Sequence, residues 1–269
     1  MTDQKFEFPE LSDENRRIWD ANAQWWDDQI GDGNEFQTRL IEPATERLLA
    51  IQAGERILDI ACGAGRFARR MAEFGARVVA LDYSTEFIER AKQRTATHLQ
   101  IEYYVLDAAR IAHVFSENSG RFDKAVCTMA LMDMPELGPM FEALKQVLKP
   151  GGVFVFSVTH PCFHSSSMQR FTEIDEEDTG RHIVRSGVKV SSYLSPVARK
   201  TEGITGQPEP HWVFHRPIQV LFKAGFSAGF IVDGLEEPGF AMTASGKPGV
   251  RWADMPEIPP MMVVRMRSL

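Results

Sequence analysis

The sequence predicts an α/β fold in which a parallel sheet is packed by helices on both faces. Three observations carry this. Short apolar runs alternate with segments of 3.6-residue periodicity from about residue 56 onward. The first apolar run, Arg56-Ile57-Leu58-Asp59-Ile60, breaks at Ala61-Cys62-Gly63-Ala64-Gly65 and resumes as a helix pattern in Phe67, Met71 and Phe74. The second, Val78-Val79-Ala80-Leu81, ends in Asp82, and the third, Ile101 to Leu106, ends in Asp107-Ala108. Glycine turns let a backbone approach a ligand without an intervening Cβ, and the following helix start offers free N–H groups.

Taken in order, residues 1–11 are polar. Ser12 can cap a helix to about Asp28, with Asp13 and Glu14 favourable in its first turn. Ile18, Asn22, Trp25 and Trp26 fall near one stripe of it. Gly31-Asp32-Gly33-Asn34 is a turn, and a second helical piece, about 35–50, is interrupted or restarted at Pro43. The core follows. Strand one is about 57–61 and its helix 65–74. Strand two is about 77–81, after which Ser84 caps a helix to about Arg94. Strand three is 101–106 and strand four 122–127. A helix over about 136–148 shows Leu137, Met140, Phe141, Leu144, Val147 and Leu148. Lys149-Pro150-Gly151-Gly152 stops it before strand five, 153–158.

Residues 161–215 interrupt this alternation. They hold an acidic run, Glu173 to Asp178, read as a solvated face, and an alternating piece, Ile183 to Val190, read as one or two strands. A structureless loop of this length is unusual in a compact domain, so the segment is expected to be a lid or small subdomain. The expected organisation is 1–50 as helices covering the cleft, 51–160 as core, 161–215 as insert and 216–269 as completion of the sheet.

The chain has 269 residues and a net charge of −7 without a basic block, which argues against nucleic acid as a partner. Its three cysteines, Cys62, Cys127 and Cys162, form no disulfide framework, and a cytoplasmic setting is expected. The first thirty residues do not read as a signal peptide, and no apolar run approaches a membrane span. A monomer or homodimer acting on a small-molecule substrate fits these features.

Gly63-x-Gly65-x-x-Ala68 with Asp82 satisfies the loose nicotinamide dinucleotide pattern. The stretch Asp59-Ile60-Ala61-Cys62-Gly63-Ala64-Gly65 also resembles motif I of the class I S-adenosylmethionine-dependent methyltransferases. An acidic residue inside the first strand suits a cationic sulfonium and its ammonium better than a diphosphate. The resemblance extends to Asp82, Asp107-Ala108 and the Leu-Lys-Pro-Gly-Gly turn, covering about 40–160. It resumes at Pro217 to Asp233, where a helix leads into strand six.

The resemblance implies a Rossmann-like, seven-stranded, mostly parallel sheet. Its last strand, Met261 to Met266, would lie antiparallel between strands five and six. It implies S-adenosyl-L-methionine as cofactor and S-adenosyl-L-homocysteine as product. Gly63 and Gly65, with Ala61 and Cys62, would pack against the methionine and ribose. Asp82 would accept from the ribose hydroxyls. Asp107 and Ala108 would read the adenine, flanked by Met129 and Tyr83. Trp25 and Trp26 are either core or, in the sharper reading, one of them closes over the methionine part; Trp26 is the candidate.

Methyl transfer needs a base only where the acceptor must lose a proton. Residues expected at the carboxyl edge of the sheet are Asp133, His160, Cys162 and His164, with His215 where the chain returns from the insert. His160 and His215 are candidate bases at the two necks of the insert; the alternative is that each fixes its neck by bonding loop backbone. Asp133 is a third candidate, or a cap for the helix after it. His160-Pro161-Cys162-Phe163-His164 lacks a second cluster of zinc-type spacing, so no metal is expected. The rival readings are a non-catalytic S-adenosylmethionine-binding protein and a nicotinamide-dependent oxidoreductase.

Overall fold

A computed structural model describes residues 6–115, 121–165, 167–176, 179–180, 182–241 and 249–269. Residues 1–5 of the polar start, and Glu177 and Asp178 of the acidic run, lie outside these. The N-terminal part holds α1 (Ser12–Ile30) and α2 (Glu42–Leu49). The core then runs β1 (Arg56–Ile60), α3 (Arg66–Glu73), β2 (Arg77–Asp82), α4 (Thr85–Arg94), β3 (Ile101–Val105) and α5 (Ile111–Val114). It continues through β4 (Phe122–Thr128), α6 (Gly138–Val147) and β5 (Leu148–Thr159). The insert contributes β6 (Met168–Glu176), β7 (His182–Val190), β8 (Val197–Thr201) and β9 (His211–His215). The chain closes with α7 (Ile218–Ser227), β10 (Phe230–Glu236) and β11 (Met261–Ser268).

The main sheet has seven strands in the order β10-β11-β5-β4-β1-β2-β3. β11 pairs antiparallel with both β5 and β10, and the other pairings are parallel. This is the arrangement the resemblance implied. Strand residues alternate between two cores because successive Cβ atoms point to opposite faces. Leu58, Ile60, Val79, Leu81, Phe154 and Phe156 face one core with Phe141 and Leu144 of α6. Ile57, Val78, Ala80, Val126 and Val155 face the other with Phe67 and Met71 of α3.

Local signals held in part. Ser84 caps α4, its Oγ accepting from Phe87 N–H at 3.2 Å. Ser12 does not cap α1: a 3-10 turn, Pro9–Leu11, precedes the helix, and Ser12 lies inside its first turn with no side-chain cap bond. Pro43 does not break the second helix. A π-helical turn, Gln37–Ile41, runs straight into α2 and widens the coil where the proline ring and its missing N–H disturb the ladder.

The insert is two separate hairpins, β6–β7 and β8–β9. Glu173 and Asp175 of the acidic run pair across the first hairpin with Lys189 and Arg185. The second is clasped to α1. Asn22 Nδ2 donates to Glu209 O at 2.7 Å and Glu209 N–H returns to Asn22 Oδ1 at 3.1 Å. Glu14 receives Lys200 Nζ at 2.7 Å and Trp212 Nε1–H at 2.9 Å.

Candidate cofactor and acceptor cavity

The carboxyl ends of β1 to β5 open onto a cavity of about 1050 Å³, roofed by α1 and by the β8–β9 hairpin. Open α/β sheets present this edge to ligands. Ligand cavities span roughly 300–1,000 Å³, so this one has room for a nucleoside and a second molecule.

The chain meets the cavity at unusual backbone angles. Gly63 has φ +52°, and two non-glycine residues, Ala61 and Met129, have φ +53° and +55°. Such conformations are costly for side chains with a Cβ and cluster where function over-determines them. Gly65 (φ +74°) plays a different part. It does not line the cavity; a Cβ there would sit 2.5 Å from Tyr103 Oη and 3.0 Å from Ala91 Cβ, so it allows close packing behind the turn.

Asp82 is 5 % exposed. Its Oδ2 accepts from Gly63 N–H at 3.0 Å and its Oδ1 from Ser84 N–H at 2.9 Å. Burial raises its pKa to about 6, against the pull of those N–H groups. It is therefore mostly ionised at neutral pH, with lone pairs left for a ligand. Asp59 lies beneath the turn, off the cavity surface. Both of its carboxyl oxygens are sealed and without a partner, and burial, then the charge of Asp82, lifts its pKa to about 8.

Of the other expected cofactor residues, Trp26, Ala61, Cys62, Gly63, Tyr83, Asp107, Ala108 and Met129 all line the cavity; Trp25 does not. Asp107 already spends one oxygen on Ala109 N–H at 2.9 Å. Burial pushes the Cys62 thiol well above its ordinary range, so it is no nucleophile.

On the acceptor side two expectations are corrected. His160 and His215 do not line this cavity. His160 Nε2 bonds Glu237 at 2.7 Å while its Nδ1 accepts from Cys162 N–H at 3.1 Å. His215 Nε2 donates to Tyr193 O at 2.7 Å. Both imidazoles are engaged in fixing the necks of the insert. For His160 the cavity is reached by the strand end before it, Thr159, and for His215 the physical reason lies in β9. At about 3.3 Å per residue its two ends lie roughly 13 Å apart, and the end that reaches the cavity is the start, not the neck.

That start is His211, which the sequence reading passed over. It lines the cavity, with its Nε2 3.6 Å from Asp133 Oδ1. Period-two alternation in His211-Trp212-Val213-Phe214-His215 puts both histidines on one face, a signal that could have found it. Asp133 also lines the cavity. It does not cap α6, which starts at Gly138. Its Oδ1 is buried without a hydrogen-bond partner. Burial drives Asp133 well above the carboxylate range and His211 down to about 4, so each is held uncharged. The Trp19 ring lies 4.6 Å and the Trp26 ring 6.1 Å from the His211 ring, and Trp26 Nε1 is buried with no partner. Asn15 ties the two halves, donating to Asp133 O at 2.7 Å and to Tyr83 Oη at 3.3 Å. Among the described residues no group of three or more His, Cys, Asp or Glu is placed to hold a metal ion.

The family model described as "Methyltransferase domain" matches residues 51–203, more than half of the chain. The chain belongs to this family. The match favours a methyltransferase over the dehydrogenase left open by the glycine pattern. A ubiquinone biosynthesis O-methyltransferase of Xanthomonas axonopodis pv. citri (strain 306) is 30 % identical over 137 residues, 49 % of this chain and 55 % of that protein. The chain thus spans about half the length of the curated relatives it matches. Among solved structures, an S-adenosylmethionine-dependent methyltransferase from Mesorhizobium loti superposes with a TM-score of 0.60 at 26 % identity, over 84 % of this chain and 96 % of that one. A structure from Listeria monocytogenes gives 0.62 at 22 % identity over the same shares, a likeness of fold.

The methyltransferase residues fit S-adenosylmethionine on their own evidence. A buried carboxyl with neither oxygen satisfied, behind a second buried carboxyl, is the surrounding a cationic ligand relieves. No helix among the described residues is long and apolar enough to cross a membrane.

Proposed function

We propose that the protein transfers a methyl group from S-adenosylmethionine to a small-molecule acceptor enclosed beside it in the cavity. The observation that carries this is the continuity of one cavity from the glycine turn and Asp82 to the insert and α1. When bound, S-adenosylmethionine supplies an electrophilic methyl group on a cationic sulfur. The chain's own part is to hold, orient and exclude water. Asp82 accepts from the ribose hydroxyls, and its two backbone donors keep it aimed and mostly ionised. Gly63, with Ala61 and Cys62, gives the close backbone face. Asp107 and Ala108 read the adenine between Tyr83 and Met129. Asp59, protonated in the free protein, would be drawn back toward its ionised form by an ammonium or sulfonium held above the turn. Trp26 closes the methionine end.

Residues 161–215 divide the remaining work. Arg199, Thr201, Gly203 and His211 of the second hairpin wall the acceptor half, which supports reading this part of the insert as the cover. The name of the Xanthomonas relative supports oxygen as the acceptor atom. Incubation with methyl-labelled S-adenosylmethionine and a panel of small hydroxyl, amine and thiol compounds tests the proposal. Label is expected in a hydroxyl compound, with S-adenosylhomocysteine released in equal amount. Cofactor binding with transfer to no class in the panel would instead support a non-catalytic binding protein.

A further inference from the structure

The acceptor half contains three polar atoms whose arrangement the cofactor roles leave unused. Asp133 Oδ1 and Trp26 Nε1 are buried without partners. His211 Nε2 faces Asp133 Oδ1 at 3.6 Å, too long for a hydrogen bond between them, so each is left to bond an oxygen set to one side of the pair. Buried polar groups are paired in native proteins, so unpaired ones beside a cavity are open to a partner from it, water or ligand.

The His211 ring is held on its far side. Gln207 is anchored by Gly203 N–H to its Oε1 at 3.1 Å and by its Nε2 to Glu209 O at 2.5 Å. Its Oε1 lies 3.2 Å and its Nε2 3.0 Å from His211 Nδ1. Gln207 thus offers Nδ1 either an acceptor or a donor, and a base at His211 needs the first: the proton stays on Nδ1, donated to Gln207 Oε1, with the lone pair of Nε2 toward Asp133. Glu209 is the residue that Asn22 of α1 grips, so the base is fixed by the same clasp that roofs the cavity.

We propose that the acceptor is an uncharged, flat hydroxyl compound whose oxygen sits beside the pair His211 Nε2 and Asp133 Oδ1, bonding both. Its ring would lie along Trp19 and Trp26, and His211 would take the hydroxyl proton. This rests on the methyltransferase reading above. In the step, the O–H proton passes to His211 Nε2 as the oxygen's electron pair forms the new O–CH₃ bond. The C–S bond breaks with its pair left on sulfur, which becomes a neutral thioether, and the imidazolium later returns its proton to water. Asp133 supplies the second hydrogen bond to the oxygen. Trp26 Nε1–H is left to donate to a further acceptor atom on the substrate. Both His211 and Asp133 are held uncharged, which suits an uncharged ligand and disfavours a carboxylate or ammonium in their place.

The test uses the full chain loaded with S-adenosylhomocysteine and two probes, 4-methylphenol, which is neutral near pH 7, and its methyl ether 4-methylanisole. The phenol is expected to bind at least about tenfold more tightly than the ether, the scale of one good hydrogen bond. His211→Gln and Asp133→Ala should each reduce that preference while S-adenosylhomocysteine affinity stays the same. In ¹⁵N-histidine spectra the phenol should shift one imidazole resonance that is missing from His211→Gln, and the ether should not. Equal binding of phenol and ether, no binding of the phenol, or an unmoved spectrum would overturn the proposal, and the wild-type comparison stands even where a variant fails to fold. Failure of S-adenosylhomocysteine itself to bind would instead overturn the methyltransferase reading beneath it.

Discussion

Asp59, one residue before the end of β1, carries a carboxyl that no described protein group satisfies. Its pKa of about 8 in the folded protein compares with about 3.9 for an unfolded aspartate. Between those values the folded state holds a proton that the unfolded chain has lost. Stability is therefore fully present below the lower value and falls as pH rises through the upper, by at most about 1.4 kcal/mol per pH unit. Asp59→Asn removes the penalty. Thermal unfolding of the ligand-free variant should show it more stable than the parent at pH 8 and nearly equal at pH 4; a less stable variant at pH 8 would refute this. The sequence made Asp59 legible as an electrostatic oddity, because an acidic residue amid Ile57, Leu58 and Ile60 must answer to a charge. It did not reveal that Gly65 faces Tyr103 instead of the cavity, since φ and what a Cβ would strike depend on the packing of α4 and β3.

Single elements position the acceptor side. β9 carries His211 at its start, and just past its end Arg216 turns back under the loop that bears Asp133. Arg216 is 5 % exposed and donates to Leu131 O, Met134 O and Pro135 O at 3.4, 2.9 and 2.8 Å, and to Phe6 O at 3.3 Å. Burial pulls its pKa down to about 10. A lysine cannot span those carbonyls with a planar fork. Arg216→Lys should lower stability in denaturant unfolding by about 2–3 kcal/mol by leaving buried carbonyls unpaired. It should also weaken 4-methylphenol binding without changing cofactor affinity; an unchanged midpoint would show that the fork contributes nothing. Asn22→Ala breaks the reciprocal bonds to Glu209 and should cost about 1–3 kcal/mol. Hydrogen exchange over 199–213 should rise in that variant, as expected of a cover that has lost its clasp. Elements with strong period were legible, as in α6 and the five core strands. The π-helical turn before Pro43 and the choice of His211 over His215 were not, because each is decided by partners distant in sequence.

Across the whole molecule, the seven-stranded order followed from the alternation of strands and helices together with the motif I resemblance. The division of the insert did not. β8–β9 joins α1 over the cavity, whereas β6–β7 touches the body near its base, where Met168 and Val188 pack on the cluster of Leu40, Phe240 and Trp252. Replacing residues 171–187 by a two-residue turn should therefore leave folding and cofactor binding intact, as read by melting temperature with and without S-adenosylhomocysteine; loss of folding would make this arm part of the core. The central claim, that the glycine turn and Asp82 hold S-adenosylmethionine, is tested most directly by calorimetry. The account predicts one S-adenosylhomocysteine bound per chain, no comparable binding of NAD, and a loss of about 1.5–3 kcal/mol in Asp82→Ala, the scale of hydrogen bonds to a charged group. Tight NAD binding, or S-adenosylhomocysteine affinity unmoved by Asp82→Ala, would contradict it.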